Sequence, residues 1–183
     1  MIRPIYTYGQ PVLRKKAQDI PNDGSVDIKQ LVADMFETMY AAHGVGLAAP
    51  QIGLSQRIFV VDAASMEEGL ENFKKVFINP QIIEEKGQKW EFEEGCLSIP
   101  DIRERVARQA DITIEYYDQD WKHHKESYSG IAARIIQHEY DHIEGILFTD
   151  HISTFRKQLL KNKLDKIAKG KVEADYRILP CKK

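Results

Sequence analysis

The chain has 183 residues, of which 43% are hydrophobic and 30% charged, a composition that is typical of one globular domain and excludes a disordered or fibrous protein. Lys and Arg number 26 against 28 Asp and Glu, so the net charge of -2 offers no electrostatic basis for binding nucleic acid or an anionic membrane. Two distant cysteines, Cys96 and Cys181, do not form the disulfide framework of a small secreted protein, and we expect a cytoplasmic location.

The first part of the chain is predicted to contain one helix between looped segments. Residues 1–24 show little periodicity and contain several prolines, so we expect extended or looped chain on the domain surface. In residues 25–43 apolar side chains recur at helical spacing, which predicts an amphipathic helix that ends at Gly44. The small residues of 44–53 cannot sustain a helix and predict a loop.

The middle of the chain is predicted to be rich in β-structure. Short runs of β-branched and aromatic residues, several of them alternating with polar residues, are typical of strands. Pro80 lacks a backbone N–H, so we expect it to break one of these strands, and residues 118–120 are typical of a hairpin turn. Strands are predicted at residues 57–62, 75–84, 89–93, 103–108, 110–117 and 122–127.

Two further helices are predicted after the strands. Residues 129–143 have an apolar face at helical spacing and are followed by Gly145, and residues 153–169 form a charged helical pattern. The sequence therefore predicts an α+β fold. We expect a single domain of antiparallel β-sheets packed around a central helix that carries a His-Glu-x-x-His motif, with an N-terminal amphipathic helix and a C-terminal helix.

The strongest chemical signal is His138-Glu139-Tyr140-Asp141-His142 inside the second predicted helix. Residues four apart lie one turn apart on nearly the same face, so both imidazoles can bind one metal ion. Glu139 lies beside that face, where a carboxylate can exchange a proton with water. The pattern can also occur by chance on a solvated helix. The apolar sequence before His138 disfavours this alternative, because two buried histidines without partners are costly.

A third metal ligand is needed, since a catalytic ion commonly has three protein ligands and one open position. Glu144 lies only two residues beyond His142, on a different face of the helix, and His151 follows the helix without a spacing that would return it to the site. Cys96 is the better candidate, because a thiolate is a strong ligand and Gly95 permits close approach of the backbone. Taken alone, such a cysteine is more often an inert buried thiol.

Three segments of the chain together resemble the peptide deformylase family. They are Gly44-Val45-Gly46-Leu47-Ala48-Ala49-Pro50-Gln51, Glu94-Gly95-Cys96-Leu97-Ser98 and Gln137-His138-Glu139-Tyr140-Asp141-His142. Their order and separation in a chain of this length make the resemblance highly specific. It implies one catalytic domain over residues 1–183, with a core at about 6–160 and a C-terminal helix and tail at 153–183.

The resemblance implies a metal-dependent hydrolase that removes the N-formyl group from the initiator methionine of nascent polypeptides and releases formate. It implies that Cys96, His138 and His142 bind the ion. By the same resemblance Glu139 is the general acid/base, which takes a proton from a metal-bound water and passes it to the departing amine.

The resemblance also implies roles for residues outside the ligand set. Gln51 and the backbone N–H of Leu97 would form the oxyanion hole, which suits a side-chain amide and a fixed N–H. The glycine loop would let the substrate backbone pair alongside it as an added strand, and Arg108 is a candidate partner of Glu94. The implied substrate-binding residues are Val45, Gly46, Gly95, Arg103, Ile131 and Ile135. Core packing, or a solvated strand face for the arginine, explains single members of this set about as well.

The cofactor and the partners are implied in part by donor chemistry and in part by the resemblance. A thiolate with two imidazoles suits iron, zinc, nickel or cobalt, and affinity alone does not choose among them. The resemblance implies Fe2+ in the cell, with Zn2+, Ni2+ or Co2+ as alternative occupants, and we expect an oxygen-sensitive iron form. The implied partners are N-formylmethionyl nascent peptides and, near the peptide exit, the ribosome, without direct DNA or membrane binding. Basic residues that could support a ribosome contact, or simply form a solvated helix face, are Arg156, Lys157, Lys161, Lys163 and Lys166.

Two other functions share parts of this pattern. A zinc endopeptidase has the same helix motif but a different third ligand, so its site would not depend on Cys96. A structural metal module would have no need of Glu139, and it commonly has four protein ligands where only three are convincing here.

Overall fold

The computed structural model describes residues 1–181, which form three α-helices, a five-stranded antiparallel sheet and a two-stranded parallel sheet. The α+β class is therefore confirmed, and the last two residues of the predicted domain, Lys182 and Lys183, lie outside the described residues. The helices are α1 (Ile28–Ala41), α2 (Gly130–Ile143) and α3 (Thr154–Ala168). The strands are β1 (Ile5–Tyr6), β2 (Gly46–Ala48), β3 (Ile58–Asp62), β4 (Lys74–Cys96), β5 (Ile99–Tyr117), β6 (His123–Ser129) and β7 (Ile178–Leu179). None of the helices within residues 1–181 has both the length and the apolar character needed to cross a bilayer.

The larger sheet has the strand order β2-β3-β4-β5-β6, and each neighbouring pair is antiparallel. β4 and β5 form one long hairpin. Its partners Cys96 and Ile99 are joined by a turn of two residues, Leu97 and Ser98. The strands predicted at 75–84 and 89–93 are thus parts of β4, and those predicted at 103–108 and 110–117 are parts of β5.

Pro80 lies inside β4 and does not end it, contrary to the prediction. The pairing register against β5 shifts between Ile78 and Gln81, and Asn79 there has a φ of 49°. Proline is tolerated in a strand where the hydrogen-bond ladder is already irregular, because no N–H is required at that position. The local irregularity depends on the partner strand and could not be seen in the sequence.

The segment predicted as a loop at residues 44–53 contains β2 and a short 3-10 helix, Ala49–Ile52. All residues of both elements are buried. Small residues are needed here because other side chains come very close: a Cβ built on Gly46 would lie 2.6 Å from Oε1 of Glu139. The loop prediction was therefore wrong, since the small residues serve tight packing rather than flexibility.

Helices α1 and α2 begin and end close to the predicted positions. Asp27 caps α1 by accepting a hydrogen bond from the backbone N–H of Gln30. α2 is followed by Gly145, whose φ of 76° favours glycine. The buried face of α2 contacts β2, β3, β5 and β6, so the helix lies against the inner face of the larger sheet.

The smaller sheet joins the two ends of the described chain. Ile5 pairs with Ile178 and Tyr6 with Leu179 in parallel orientation, so this pair differs from the antiparallel sheets that were predicted. The backbone N–H of Thr7 and the side-chain amide of Gln10 both donate to the carbonyl of Leu179, at 3.3 and 3.1 Å. The polar tail after α3 is therefore held against the body of the domain.

Candidate metal centre

Two elements bring the three predicted ligands together. Cys96 ends β4, while His138 and His142 lie one turn apart on α2. One ligand atom from each residue lies within 4.8 Å of the other two, and Sγ of Cys96 is 3.3 Å from Nε2 of His142. A thiolate and two imidazoles at this separation fit a first-row divalent ion such as iron, zinc, nickel or cobalt.

The alternative third ligands have other partners. Glu144 accepts a hydrogen bond from Arg57 at 3.0 Å, and Nε2 of His151 lies 2.7 Å from Asp141. Neither side chain belongs to the Cys96 cluster. Within the described residues, the geometry therefore favours the thiolate as the third ligand.

Glu94 is a buried carboxylate that orients His138 from behind. Its Oε1 lies 2.9 Å from Nδ1 of His138, so Nε2 of this imidazole is left for a ligand. Arg108 donates to both carboxylate oxygens, at 2.8 and 3.0 Å, which is the pairing that the resemblance implied. Arg134 donates to Oε2 at 2.8 Å. Burial alone would raise the pKa of Glu94. Hydrogen bonds from His138 and Arg108 instead hold this pKa well below its ordinary value.

Glu139 is buried as deeply as Glu94, with 4% exposure, but lacks such partners. Within the described chain its Oε2 has no hydrogen-bond partner. Burial raises the pKa of Glu139 to about 7, partly opposed by the positive charge of His138. A carboxyl group with a pKa near neutrality can both accept and donate a proton under physiological conditions.

The two histidines differ in their electrostatic surroundings. Burial, reinforced by the charge of His138, lowers the pKa of His142 well below its ordinary value, so this imidazole is neutral and ready to act as a ligand. Burial also acts to lower the pKa of His138, but hydrogen bonds with Cys96 and Glu94 raise it well above its ordinary value. Binding of an ion at Nε2 of His138 and protonation of that nitrogen exclude each other.

Gln51 lies beside the ligand cluster with its amide held in one orientation. Its Oε1 accepts a hydrogen bond from the backbone N–H of Ala48 at 3.0 Å. Its Nε2 lies 3.2 Å from Oγ of Ser98 and 3.5 Å from Sγ of Cys96. The side-chain NH2 group of Gln51 therefore lies beside Sγ of Cys96, and Leu97 follows Cys96 directly in the chain.

A cleft of about 1080 Å³ opens onto this cluster. Five of the predicted substrate-binding residues line the cleft: Val45, Gly46, Gly95, Arg103 and Ile135. The predicted catalytic residues Gln51, Leu97 and Glu139 line it as well. Ile131 is packed in the apolar cluster beneath, together with Ile135, and does not line the cleft. β2 forms the edge of the larger sheet, so one side of it pairs with no other strand among residues 1–181.

Sequence reasoning missed several residues that build this site. Arg134, only 2% exposed, also donates to the carbonyls of Val106 and Trp90. An arginine in an apolar helix face is a signal that could have been noticed, because a buried charge needs a partner. Tyr176, whose hydroxyl donates to the carbonyl of Leu97 at 2.7 Å, lies in a tail with no recognisable pattern and could not have been found.

Comparisons with known proteins agree with one another. Residues 2–158 match the family model described as Polypeptide deformylase. The protein named Peptide deformylase from Cytophaga hutchinsonii is 56% identical, with 100% of both chains covered, and the one from Christiangramia forsetii is 55% identical, with 97% of this chain and 95% of that protein covered. The crystal structure of peptide deformylase from Thermus thermophilus has a TM-score of 0.80 and 39% identity, covering 90% of this chain and 96% of that chain. The peptide deformylase from Synechococcus elongatus, solved in complex with actinonin, has a TM-score of 0.79 and 33% identity, covering 97% and 92%.

Proposed function

The chain belongs to the polypeptide deformylase family, whose enzymes remove the N-formyl group from nascent peptides, and we propose that it does so in the cleft above Cys96, His138 and His142. The observation that carries this assignment of the site is Glu139. It is a buried carboxylate with an unpartnered oxygen, at the wall of a cleft and beside a three-residue ligand cluster. That combination suits proton transfer in a metal-dependent hydrolysis.

The thiolate of Cys96 and the imidazoles of His138 and His142 would hold the metal ion. When bound, it supplies Lewis-acid activation of the attacking water and of the formyl oxygen. The donor set suits Fe2+, Zn2+, Ni2+ and Co2+ alike, and the resemblance implies Fe2+ in the cell with the other three as alternative occupants. Glu94 fixes the ring orientation of His138, and its ion pairs with Arg108 and Arg134 keep that carboxylate in place.

Glu139 is the general acid/base of the reaction. It accepts a proton from water as the water oxygen attacks the formyl carbon, and it delivers this proton to the departing amine. The C–N bond of the formamide breaks, the free N-terminal amine leaves, and the formic acid that remains loses its proton to solvent and is released as formate. The pKa of about 7 supports both transfers, because a group that titrates near the working pH gains and loses a proton with similar ease.

Gln51 and the backbone N–H of Leu97 stabilise the negative charge that develops on the formyl oxygen. The contact between Oε1 of Gln51 and the N–H of Ala48 supports this role, since it directs the NH2 group towards the thiolate. A donor that is fixed before the reaction needs no reorganisation during it, and one such donor contributes about 3 kcal/mol to transition-state stabilisation.

The substrate peptide binds as an added strand along the open edge of β2, with Gly46 as its closest contact. Val45 and Ile135 contact the methionine side chain, with Ile131 beneath them, and Gly95 and Arg103 contact the trailing peptide. The free edge of β2 and the position of these side chains along the cleft support this arrangement. Backbone pairing would let one site accept many different nascent chains.

We assign the reaction to a single catalytic domain over residues 1–183, with its core at about 6–160, the C-terminal helix and tail at 153–183, and α2 as the central helix. The contacts of α2 with four strands support this organisation. The enzyme works in the cytoplasm on N-formylmethionyl nascent peptides, close to the ribosomal exit. The exposed basic side chains of α3 support a ribosome contact, and no direct contact with DNA or membrane is proposed.

Formate release from a short N-formyl-methionyl peptide tests the proposal, with protein loaded anaerobically with Fe2+. We expect Glu139→Gln to lower the rate by about 10²–10⁴-fold while it retains its metal, because only the proton transfer is lost. Glu126 is a half-buried carboxylate on β6 outside the cleft. Glu126→Gln is therefore the matched control and should keep full activity. An active Glu139→Gln variant, or cleavage of an internal peptide bond in place of formate release, would overturn the proposal.

A further inference from the structure

The segment of residues 171–179, here called the C-terminal strap, returns from the end of α3 to the mouth of the cleft. Glu173, Ala174, Asp175 and Tyr176 of the strap line the cleft. The strap ends in β7, which pairs with β1. It lies beyond residues 2–158, which the family model covers. The cleft therefore has a wall that the family motifs do not describe.

Tyr176 connects the strap to the two-residue turn that joins β4 to β5. Its hydroxyl donates to the carbonyl of Leu97 at 2.7 Å. Its ring and the side chain of Leu97 both pack against the apolar cluster that includes Met35 and Met39. The contact is thus made by a half-buried side chain whose position is fixed by packing as well as by the hydrogen bond.

The second carbonyl of the same turn is held from the other end of the chain. The backbone N–H of Tyr8, just after β1, donates to the carbonyl of Ser98 at 2.8 Å. Because β1 and β7 pair with each other, the two contacts belong to one assembly. This assembly donates hydrogen bonds to both carbonyls of the turn that carries the proposed oxyanion donor.

We propose that Tyr176 is a positioning residue for the deformylation reaction: its hydroxyl holds the carbonyl of Leu97, and thereby keeps the N–H of Leu97 directed at the formyl oxygen. The inference rests on the proposed function of the cleft. Only two rotatable backbone bonds, φ and ψ of Leu97, separate its N–H from its carbonyl. Because the carbonyl of Ser98 is held as well, fixing both carbonyls restricts rotation of the whole turn. A donor of this kind must be held within about 0.5 Å of its productive position to be effective.

The test compares Tyr176→Phe with Tyr40→Phe in the full-length, iron-loaded enzyme. Tyr40 is the matched control because its hydroxyl also donates to a protein oxygen, on Asp62, and it lies on α1 outside the cleft. We expect Tyr176→Phe to lower kcat about tenfold with KM within about twofold, since an oxyanion donor acts mainly in the transition state. Tyr40→Phe should leave both constants unchanged.

Backbone amide hydrogen exchange, followed residue by residue, separates positioning from simple anchoring. In Tyr176→Phe we expect faster exchange at Leu97 and Ser98 and unchanged exchange at Ile178 and Leu179, because the strap stays paired with β1. A kcat within twofold of that of an active wild-type enzyme would overturn the inference, and so would release of the strap in the variant. An inactive wild-type enzyme would instead overturn the proposed function, and the exchange at Leu97 would still report whether Tyr176 holds the turn.

Discussion

Glu94 and Glu139 are carboxylates beside the same pair of histidines, and their surroundings are opposite. Glu94 belongs to a paired side of the site, made of Glu94, Arg108, Arg134 and Asp141, in which charged groups of opposite sign contact one another. Glu139 belongs to an open side, made of Gly46, Gln51 and Glu139, where one carboxylate oxygen has no partner within the described chain. Both carboxylates are buried to a similar extent.

The difference teaches that burial alone does not decide what a carboxylate does. Partners hold the pKa of Glu94 low, although burial acts to raise it, so this group stays ionised and keeps His138 in place. Without partners, burial raises the pKa of Glu139 to about 7, so this group can exchange a proton. Variants that alter one side and leave the other in place test this difference.

The largest expected effect on stability comes from the paired side. Glu94→Gln keeps the shape of the side chain but leaves Arg134 as a buried charge without a counter-ion, and it leaves Arg108 paired with Asp141 alone. We therefore expect a loss of about 3–5 kcal/mol in the free energy of unfolding. Glu139→Gln removes no pairing and should change this quantity by less than about 1 kcal/mol. Urea denaturation of both metal-free variants at neutral pH makes the comparison. Equal losses would contradict it, and exposed Glu91→Gln controls for the chemical change alone.

Gln51→Ala tests the open side through catalysis. Removal of the proposed oxyanion donor should lower kcat by about 10²–10³-fold, equivalent to about 3–4 kcal/mol, with little change in metal content. The same substitution at Gln30, on α1 outside the cleft, should leave kcat unchanged. A loss of metal in parallel with kcat would show that Gln51 acts on the ligand cluster rather than on the oxyanion.

Gly46→Ala places a methyl group where the carboxylate of Glu139 lies, because a Cβ there would be 2.6 Å from Oε1. We expect a loss of about 1–3 kcal/mol in stability through overpacking, together with reduced formate release. A double-mutant cycle with Glu139→Ala identifies the contact. If the clash is with Glu139, the stability cost of the methyl group should largely disappear in that background. An unchanged cost would place the clash elsewhere.

Asp34, on α1 and outside the site, is a second carboxylate with charged partners, and it extends the comparison between Glu94 and Glu139. The N-terminal amine of Met1, together with Arg3 and Gln30, outweighs burial and lowers the pKa of Asp34 from 3.8 to about 2. A carboxyl group whose pKa is lower in the folded state stabilises the fold at pH values above its pKa in the unfolded state. This stabilisation is lost as the pH falls through the lower pKa of the folded state. We therefore expect stability to fall as the pH is lowered from about 4 to about 2. Acid titration of unfolding tests this window, and Asp34→Asn should remove this part of the slope.

The sequence could predict those parts of the site that depend on local patterns. The helical spacing of His138 and His142 placed both imidazoles on one face, and the chemistry of metal ligands pointed to Cys96. It could not predict that Glu94 meets Arg134, because these residues are 40 positions apart and neither belongs to a periodic pattern. Tyr176 and Leu97 are 79 positions apart, and their contact depends on how the strap packs.

The errors in the predicted fold have the same origin. The small residues of 44–53 indicated a loop when read alone, but they form a strand and a short 3-10 helix, and Glu139 packs closely against Gly46. Pro80 indicated a strand break, but it lies where the register against β5 is already irregular. Local propensity was overruled in both places by long-range packing.

In the proposed binding mode, the recessed edge of β2 would also select substrates by their state of folding. An exposed sheet edge invites association with the edges of other proteins, and natural proteins limit this by keeping such edges short or covered. Here the edge is three residues long and its residues are buried. A folded domain cannot bring its own sheet edge into such a recess, whereas a flexible chain terminus can enter it. The enzyme would thus not act on folded proteins, and it would act on N-termini before folding buries them.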